Sequence, residues 1–259
     1  MANAAVYYFS ATGNSLHAAK SIAQAIDGEL FAVQDASTIE NTYDVIGFVF
    51  PTFSWGMPRM MEEFVTRLEI VGRPYIFGVA TCGVSPGAAL ADLERILKWK
   101  GQRLAYGRKL VSAENNIFLL NPTPKAVEKG LNQSVTALKQ IMGEVMAQKR
   151  LSPRRPILTP FYRFLHRGSV KRYSSSDESF RVSSSCTGCG LCQKVCPAGN
   201  IAIKEGVPTF LHQCEHCTAC IQWCPQQAIN WKNRTKKRSR YHHPQVTLVD
   251  IQRISSQDE

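Results

Sequence analysis

The sequence contains no long hydrophobic run. Nowhere among its 259 residues do 18 apolar residues follow one another, so no membrane-spanning helix is expected. The first residues, MANAAVYYFS, have no basic segment and no cleavage pattern, so no secretory signal peptide is expected either. The fingerprints GxGxxG and GxxxxGK[ST] are also absent, which argues against a dinucleotide or nucleoside triphosphate site. These absences favour a cytoplasmic protein.

Acidic residues are scarce: 20 Asp and Glu stand against 31 Lys and Arg, for a net charge of +11. Residues 1–150 are nearly balanced, and almost all of the excess follows them. The composition also changes near residue 150, where the basic run KRLSPRRP begins and the serine-rich run YSSSDESFRVSSS follows. This shift predicts a first domain at 1–150, a basic and serine-rich linker at 151–180, a second domain at 181–232 and a basic tail at 233–259.

Short apolar runs alternate with amphipathic segments through residues 1–150. The runs that predict strands lie at 4–9, 29–33, 45–50, 75–80 and 104–111. Helical spacing of apolar residues separates them, and Thr123 and Pro124 open a long helix with Val135 on its predicted apolar face. Continuous strands alternating with amphipathic helices predict an α/β fold, a doubly wound parallel sheet with helices on both faces.

Three loops follow predicted strands at the edge where such sheets bind ligands. The loop 10–15 combines small hydroxyl residues with Gly13 and leads into a helix, which suits a phosphate, although it equally describes a helix cap that binds nothing. The loops 51–56 and 81–87 suit a flat ring, with Phe53 or Trp55 either stacking on it or packing at its rim. Cys82 is interpreted as a packing residue, or as a redox thiol if its pKa is depressed.

The loop 10–15, which follows the strand residues YYF, resembles the phosphate loop of the flavodoxins. The two later loops fall where that family encloses the isoalloxazine ring of FMN. The resemblance implies that the phosphate is held by Ser10, Thr12, Gly13, Asn14 and Ser15. It also implies that the ring lies between Pro51, Thr52, Phe53, Trp55 and Gly56 on one side and Thr81, Cys82, Gly83 and Gly87 on the other.

Eight of the nine cysteines form two runs of the same spacing, C-x2-C-x2-C-x3-C-P. In the absence of an export signal this favours metal over disulfides. Three thiolates of such a run reach one [4Fe–4S] cluster, while the fourth reaches the other cluster. The predicted ligands are Cys186, Cys189, Cys192 and Cys224 for one cluster, and Cys214, Cys217, Cys220 and Cys196 for the second. Zinc is the alternative metal, and His216 is interpreted as a neighbour rather than a ligand.

Residues 186–231 closely resemble the bacterial two-cluster ferredoxins. The chain as a whole resembles the flavodoxin–ferredoxin fusion proteins of anaerobes, and its segment RYHHPQVTLVDI resembles their ending. The resemblance implies a flavodoxin-like parallel sheet followed by a small α+β ferredoxin-like domain, and it leaves the function open. Clusters pass one electron at a time and flavin accepts one or two, so the cofactors favour intracellular electron transfer, in which FMN and two clusters convert between one-electron carriers and a two-electron donor or acceptor. The alternatives are a flavin-dependent reductase of a small substrate fed by its own clusters, and a redox-responsive nucleic-acid-binding protein.

The basic excess lies outside the cysteine runs, because residues 186–231 have no net charge while 151–185 carry +5 and 232–259 carry +4. This charge either neutralises the protein's own anionic cofactors or forms a docking face for an acidic electron carrier. The expected partner is therefore a redox protein, such as an acidic ferredoxin or flavodoxin, or a small-molecule oxidant. No nucleic-acid partner is expected, since no recognition motif accompanies the tail.

Overall fold

The central sheet is built as the alternating pattern predicts. A computed structural model of the chain describes residues 3–36, 42–153 and 156–251. Its main sheet has five parallel strands in the order β2-β1-β3-β4-β5. They are β1 (Ala4–Tyr8), β2 (Glu29–Ala32), β3 (Val45–Pro51), β4 (Tyr75–Cys82) and β5 (Leu104–Val111). The strand order reverses direction between β1 and β3, which is the flavodoxin-like form of the doubly wound sheet. The predicted fold class is confirmed.

Helices cover both faces of this sheet. One face carries α1 (Asn14–Ala25) and α4 (Pro124–Met146), and the other carries α2 (Arg59–Arg67) and α3 (Ala89–Trp99). Thr123 caps α4 by accepting a hydrogen bond from the Ala126 amide at 3.4 Å, with Pro124 in the first turn, as the sequence predicts. Two buried apolar layers therefore enclose the strands and hold their carboxyl ends in a fixed position.

The apolar face of α4 differs from the predicted one at Val135, which is exposed. The residues that face inward are Gly130, Ser134, Leu138, Ile141 and Val145. A Cβ atom added to Gly130 would lie 2.6 Å from the Cα atom of Ala113, so this helix approaches the chain after β5 very closely. The prediction is wrong for Val135 because close approach, which needs small residues, selects the inward face at that end of the helix.

The segment predicted as a linker contains a helix, α5 (Thr159–Val170), that packs on the first domain. The Nδ1 atom of His166 lies 2.9 Å from the carbonyl oxygen of Phe53. The guanidinium of Arg163 donates to the Asp92 carboxylate at 2.7 Å. These two polar contacts fix α5 beside α3 and the loop after β3.

The second domain is small and mixes strands with short helices. Its antiparallel pairs are β6 (Phe180–Val182) with β9 (Ile229–Trp231), and β7 (Ile201–Lys204) with β8 (Val207–Phe210). The short helices are α6 (Leu191–Lys194), α7 (Ala219–Gln222) and, near the end of the chain, α8 (Leu248–Ile251). Among the described residues, no helix has the length and hydropathy needed to cross a bilayer.

Candidate functional site

Two cavities in the second domain are each lined by four cysteines. The first is lined by Cys186, Cys189, Cys192 and Cys224. The second is lined by Cys214, Cys217, Cys220 and Cys196. Each cavity therefore draws three cysteines from one run and the last cysteine from the other run. These are the two groups that the sequence predicts.

The two cysteine runs repeat each other in backbone detail. The Asn200 amide donates to the Cys196 sulfur at 3.3 Å, and the Ala228 amide donates to the Cys224 sulfur at the same distance. The residues that precede α6 and α7, Gly190 and Thr218, both have a left-handed backbone, with φ of 73° and 66°. The turn requires this conformation at both sites, although only the first run meets it with glycine.

The thiols fit a cationic iron core. Burial, and to a smaller extent the other three cysteines of its cavity, raise the pKa of Cys192 to about 11. Burial likewise raises the pKa of Cys214 to about 11. Four thiolates this close together would repel one another unless metal charge compensated them. The donor set, four sulfurs around a cavity, is the one that a [4Fe–4S] cluster uses.

Replacing Gly188 or Gly190 by alanine tests how tightly the first run is folded. Both residues have a left-handed backbone, with φ of 69° and 73°, so both replacements cost about 1–2 kcal/mol. Only at Gly188 would the new Cβ atom also clash, 2.7 Å from the carbonyl oxygen of Gly206, because the space beside Gly190 is open. We expect Gly188→Ala to lower the Tm of the cluster-loaded protein by at least ~2–4 °C more than Gly190→Ala. Equal Tm values would contradict this packing.

The three loops that the sequence singles out meet at the carboxyl ends of β1, β3 and β4. Pro51 and Thr81 are partners in the β3–β4 register, and the Thr52 amide donates to the Thr81 carbonyl at 2.8 Å. The hydroxyls of Ser15 and Thr81 lie 2.7 Å apart. The Ala88 amide, just after the third loop, donates to the Trp55 carbonyl at 2.8 Å. The predicted convergence of these loops is therefore present in the fold.

A segment shortly before α8 lies over the loop 10–15. Residues 241–247, here called the C-terminal cover, bond to it at two points: the His243 amide donates to the Thr12 carbonyl at 2.8 Å, and the Tyr241 hydroxyl to the Asn14 side-chain oxygen at 2.5 Å. A Cβ atom added to Gly13 would lie 2.9 Å from the Cβ atom of His243. Thr12 is only 3% exposed as a result.

Neighbouring segments occupy the remaining polar groups of the phosphate loop. The Trp223 indole donates to the Ala11 carbonyl at 2.9 Å, and the Asn115 side chain donates to the Thr12 hydroxyl. The Asn14 amide group donates to the Ala113 carbonyl at 3.0 Å, and the Ser10 hydroxyl accepts from the Gly13 amide at 3.2 Å. Every polar side chain predicted to hold a phosphate therefore has a protein partner. The bonds from His243 and Trp223 go to carbonyl oxygens, and the Thr12 and Ser10 hydroxyls accept, so these two hydroxyls keep a proton to donate.

The predicted ring loops also pack against protein. Trp55 stacks on Tyr162 of α5, with ring centroids 6.4 Å apart, and Phe53 packs edge-on against Phe9 at 5.9 Å. The imidazole of His166 covers Gly56, and the Trp55 carbonyl lies against Gly87. Both aromatic residues therefore have aromatic partners within the protein.

Cys82, Glu114 and Thr52 lie in or beside the ring loops. Burial raises the pKa of Cys82 to about 11, which matches a packing thiol rather than a reactive one. The Glu114 carboxylate lies against Gly83, where a Cβ atom would be 2.1 Å from its oxygen. The Thr52 hydroxyl is buried and has no hydrogen-bond partner within the described ranges. A buried hydroxyl without a partner is costly and indicates a position that a ligand could satisfy.

The second cysteine run is docked directly on the first domain. The Arg59 guanidinium, at the start of α2, lies 2.5 Å from the buried Glu215 carboxylate. The His216 ring is stacked between Phe118 and Tyr173, with centroid distances of 4.2 and 5.2 Å, and burial lowers its pKa to about 4. Cys217 and Phe53 both pack against the same apolar clusters. The second cavity therefore adjoins the ligand edge of the sheet.

Sequence reasoning missed residues that contact the loop 10–15: Asn115, Trp223, Tyr241 and His243. The RYHHP segment stands out in the sequence, but nothing in its composition indicates that it folds back over residues 10–15. The side-chain contacts of Asn115, Trp223 and Tyr241 join positions from 103 to 227 residues apart in the chain. Contacts between such distant positions are not encoded in local patterns.

Comparisons with known proteins give one family match. Residues 185–229 match the model of the 4Fe-4S dicluster domain. Over 45 residues, which make up 17% of this chain, the sequence is 44% identical to one subunit of the ion-translocating oxidoreductase complex of Methanosarcina acetivorans. The match spans only 17% of the length of that relative.

Solved structures resemble part of the chain. A flavoprotein from Bacteroides uniformis is 24% identical, with a TM-score of 0.37, over 42% of this chain and 90% of its own. The two-electron-reduced flavodoxin of Megasphaera elsdenii is 17% identical, with a TM-score of 0.35, over 52% of this chain and 98% of its own. The main sheet has the flavodoxin-like strand order, and residues 185–229 match the dicluster model. Together they show that the chain is a fusion of a flavodoxin-like domain with a 4Fe–4S ferredoxin-type domain.

Proposed function

We propose that the chain is an electron-transfer protein that carries two [4Fe–4S] clusters. The proposed ligands are Cys186, Cys189, Cys192 and Cys224 for one cluster, and Cys214, Cys217, Cys220 and Cys196 for the other. The observation that carries this proposal is the lining of the two cavities, each by three cysteines of one run and one of the other. Clusters with four thiolate ligands exchange one electron at a time, and amide hydrogen bonds to the sulfurs tune their potential.

The finer proposal adds FMN at the three loops, which would let the chain convert between one-electron carriers and a two-electron donor or acceptor. Two observations support a ligand there. The loops meet where the strand order reverses, and the Thr52 hydroxyl is buried without a hydrogen-bond partner in the described part of the chain. Residues 241–247 lie against the loop 10–15, with Tyr241 bonded to Asn14 and His243 to Thr12, so we propose that FMN binds to a form in which the C-terminal cover has moved away.

The proposed partners are a redox protein or a small-molecule oxidant. The proposed location is the cytoplasm, because eight cysteine thiols must stay reduced until iron is inserted. The net charge of +11 suits an acidic electron carrier, whose encounter with this protein would slow as salt screens the attraction.

The proposal is tested by counting iron and acid-labile sulfide per chain in protein purified without oxygen. We expect about eight iron and about eight sulfide, together with the electron paramagnetic resonance signal of reduced [4Fe–4S] clusters after dithionite is added. Zinc in place of iron, or about four iron, would contradict the two-cluster proposal.

A further inference from the structure

Helix α5 presents its apolar side chains to the outside. Ile157, which lies just before the helix begins, and Phe161 and Phe164 within it are 97%, 54% and 74% exposed. The side of α5 that faces the first domain makes the polar contacts of His166 with the Phe53 carbonyl and of Arg163 with Asp92, beside the stack of Tyr162 on Trp55. Helices of globular proteins normally show the reverse arrangement. Folding of this chain therefore does not explain the exposed apolar side.

The exposed apolar residues at the start of α5 are here called the stripe. Phe161 and Phe164 are three residues apart within α5 and therefore share one side of it, and the exposed Ile157 lies just before its first turn. Gly168 continues the stripe, and nothing lies within 4 Å of the position where its Cβ atom would be. Exposed apolar patches of this kind mark interaction surfaces.

Cations lie close to the stripe in the sequence. Residues 151–176 contain six Lys and Arg and no Asp or Glu. Arg167, Lys171 and Arg172 are exposed. Arg167 lies in the last turn of α5, and Lys171 and Arg172 follow directly after the helix ends at Val170. No ion pair with an acidic side chain is found for these three within the described ranges.

We propose that α5 docks the chain onto an anionic lipid surface. The apolar stripe would enter the boundary between headgroups and acyl chains, while the neighbouring cations meet the lipid phosphates, as in interfacial amphipathic helices. The face is formed before binding, because the contacts of Arg163 and His166 hold the helix with its stripe outward.

The test uses the full-length, cluster-loaded protein and sedimentation with lipid vesicles under anaerobic conditions. We expect binding to vesicles with about one third anionic lipid to be at least ~10-fold tighter than to purely zwitterionic vesicles, and to weaken as salt shortens the Debye length. Phe164→Asp should weaken binding at least ~10-fold, and Lys171→Glu by about fivefold.

Matched controls lie on α4, which covers the opposite face of the sheet. Val135 is 50% exposed, close to the exposure of Phe161, and Lys139 follows it one turn later. Val135→Asp and Lys139→Glu should leave vesicle binding unchanged, while Phe161→Asp should weaken it as Phe164→Asp does. The proposal is overturned if the unaltered protein does not bind anionic vesicles, or if Val135→Asp weakens binding as much as Phe161→Asp. A dimer in solution that Phe164→Asp dissociates, without vesicle binding, would assign the face to a second copy instead.

Discussion

Replacing Cys189 and Cys224 together by serine is expected to leave about four iron atoms per chain, whereas replacing Cys189 and Cys196 is expected to leave almost none. Both variants lose two thiols and one of them is the same, so each is a control for the other. The first pair lines a single cavity, and the second pair is divided between the two cavities. A cluster that loses two of its four ligands is lost, while one with all four ligands remains.

Iron and sulfide analysis of anaerobically purified protein checks this prediction, with the paramagnetic resonance signal of the surviving cluster as a second measurement. The reverse pattern, in which the Cys189 and Cys196 variant keeps about four iron, would mean that each run holds its own cluster. Loss of all iron in both variants would contradict independent cavities, because the second site would then depend on the first one being filled.

Most of the fold follows from local patterns that the sequence displays openly. A continuous apolar run such as 45–50 predicts a strand that is buried on both faces rather than a surface segment. The spacing of the cysteines restricts which thiols can reach one cluster. Gly130 and Val135 show where this reasoning stops. Helical spacing predicts an apolar face, but it does not predict which part of the helix must approach another backbone closely.

The candidate flavin site shows a second limit of prediction from the sequence. The fold places the phosphate-loop residues and the ring loops at one edge, as their positions after strands predict. Whether that edge is open depends on His243, Trp223 and Asn115, which reach it from distant parts of the chain. Each of these contacts joins positions more than 100 residues apart, so no short window of the sequence contains both partners.

The C-terminal cover and the flavin phosphate should compete for the same place. Val246 is buried against the phosphate loop, where its Cβ atom would lie 3.0 Å from a Cβ atom on Gly13, while Val249 is exposed in α8. Val246→Gln therefore weakens the cover, and Val249→Gln makes the same chemical change without touching the loop. We expect FMN to bind Val246→Gln at least ~10-fold more tightly than the unaltered protein, a difference of about 1.4 kcal/mol. Val249→Gln should bind FMN like the unaltered protein.

The cover should also open as the pH falls. Burial, and to a smaller extent His17 stacked 4.2 Å away, lower the pKa of His243 to about 4. The closed form holds His243 neutral, so its stability is complete above an ordinary histidine pKa of about 6.5 and declines as the pH falls towards 4. Quenching of FMN fluorescence, titrated anaerobically at pH 7 and pH 5.5, measures both effects, and we expect tighter binding at pH 5.5 in the unaltered protein than at pH 7. Equal affinities in all three proteins would show that the cover does not exclude FMN, and no binding in any of them would remove flavin from the proposed function and leave the clusters as its basis.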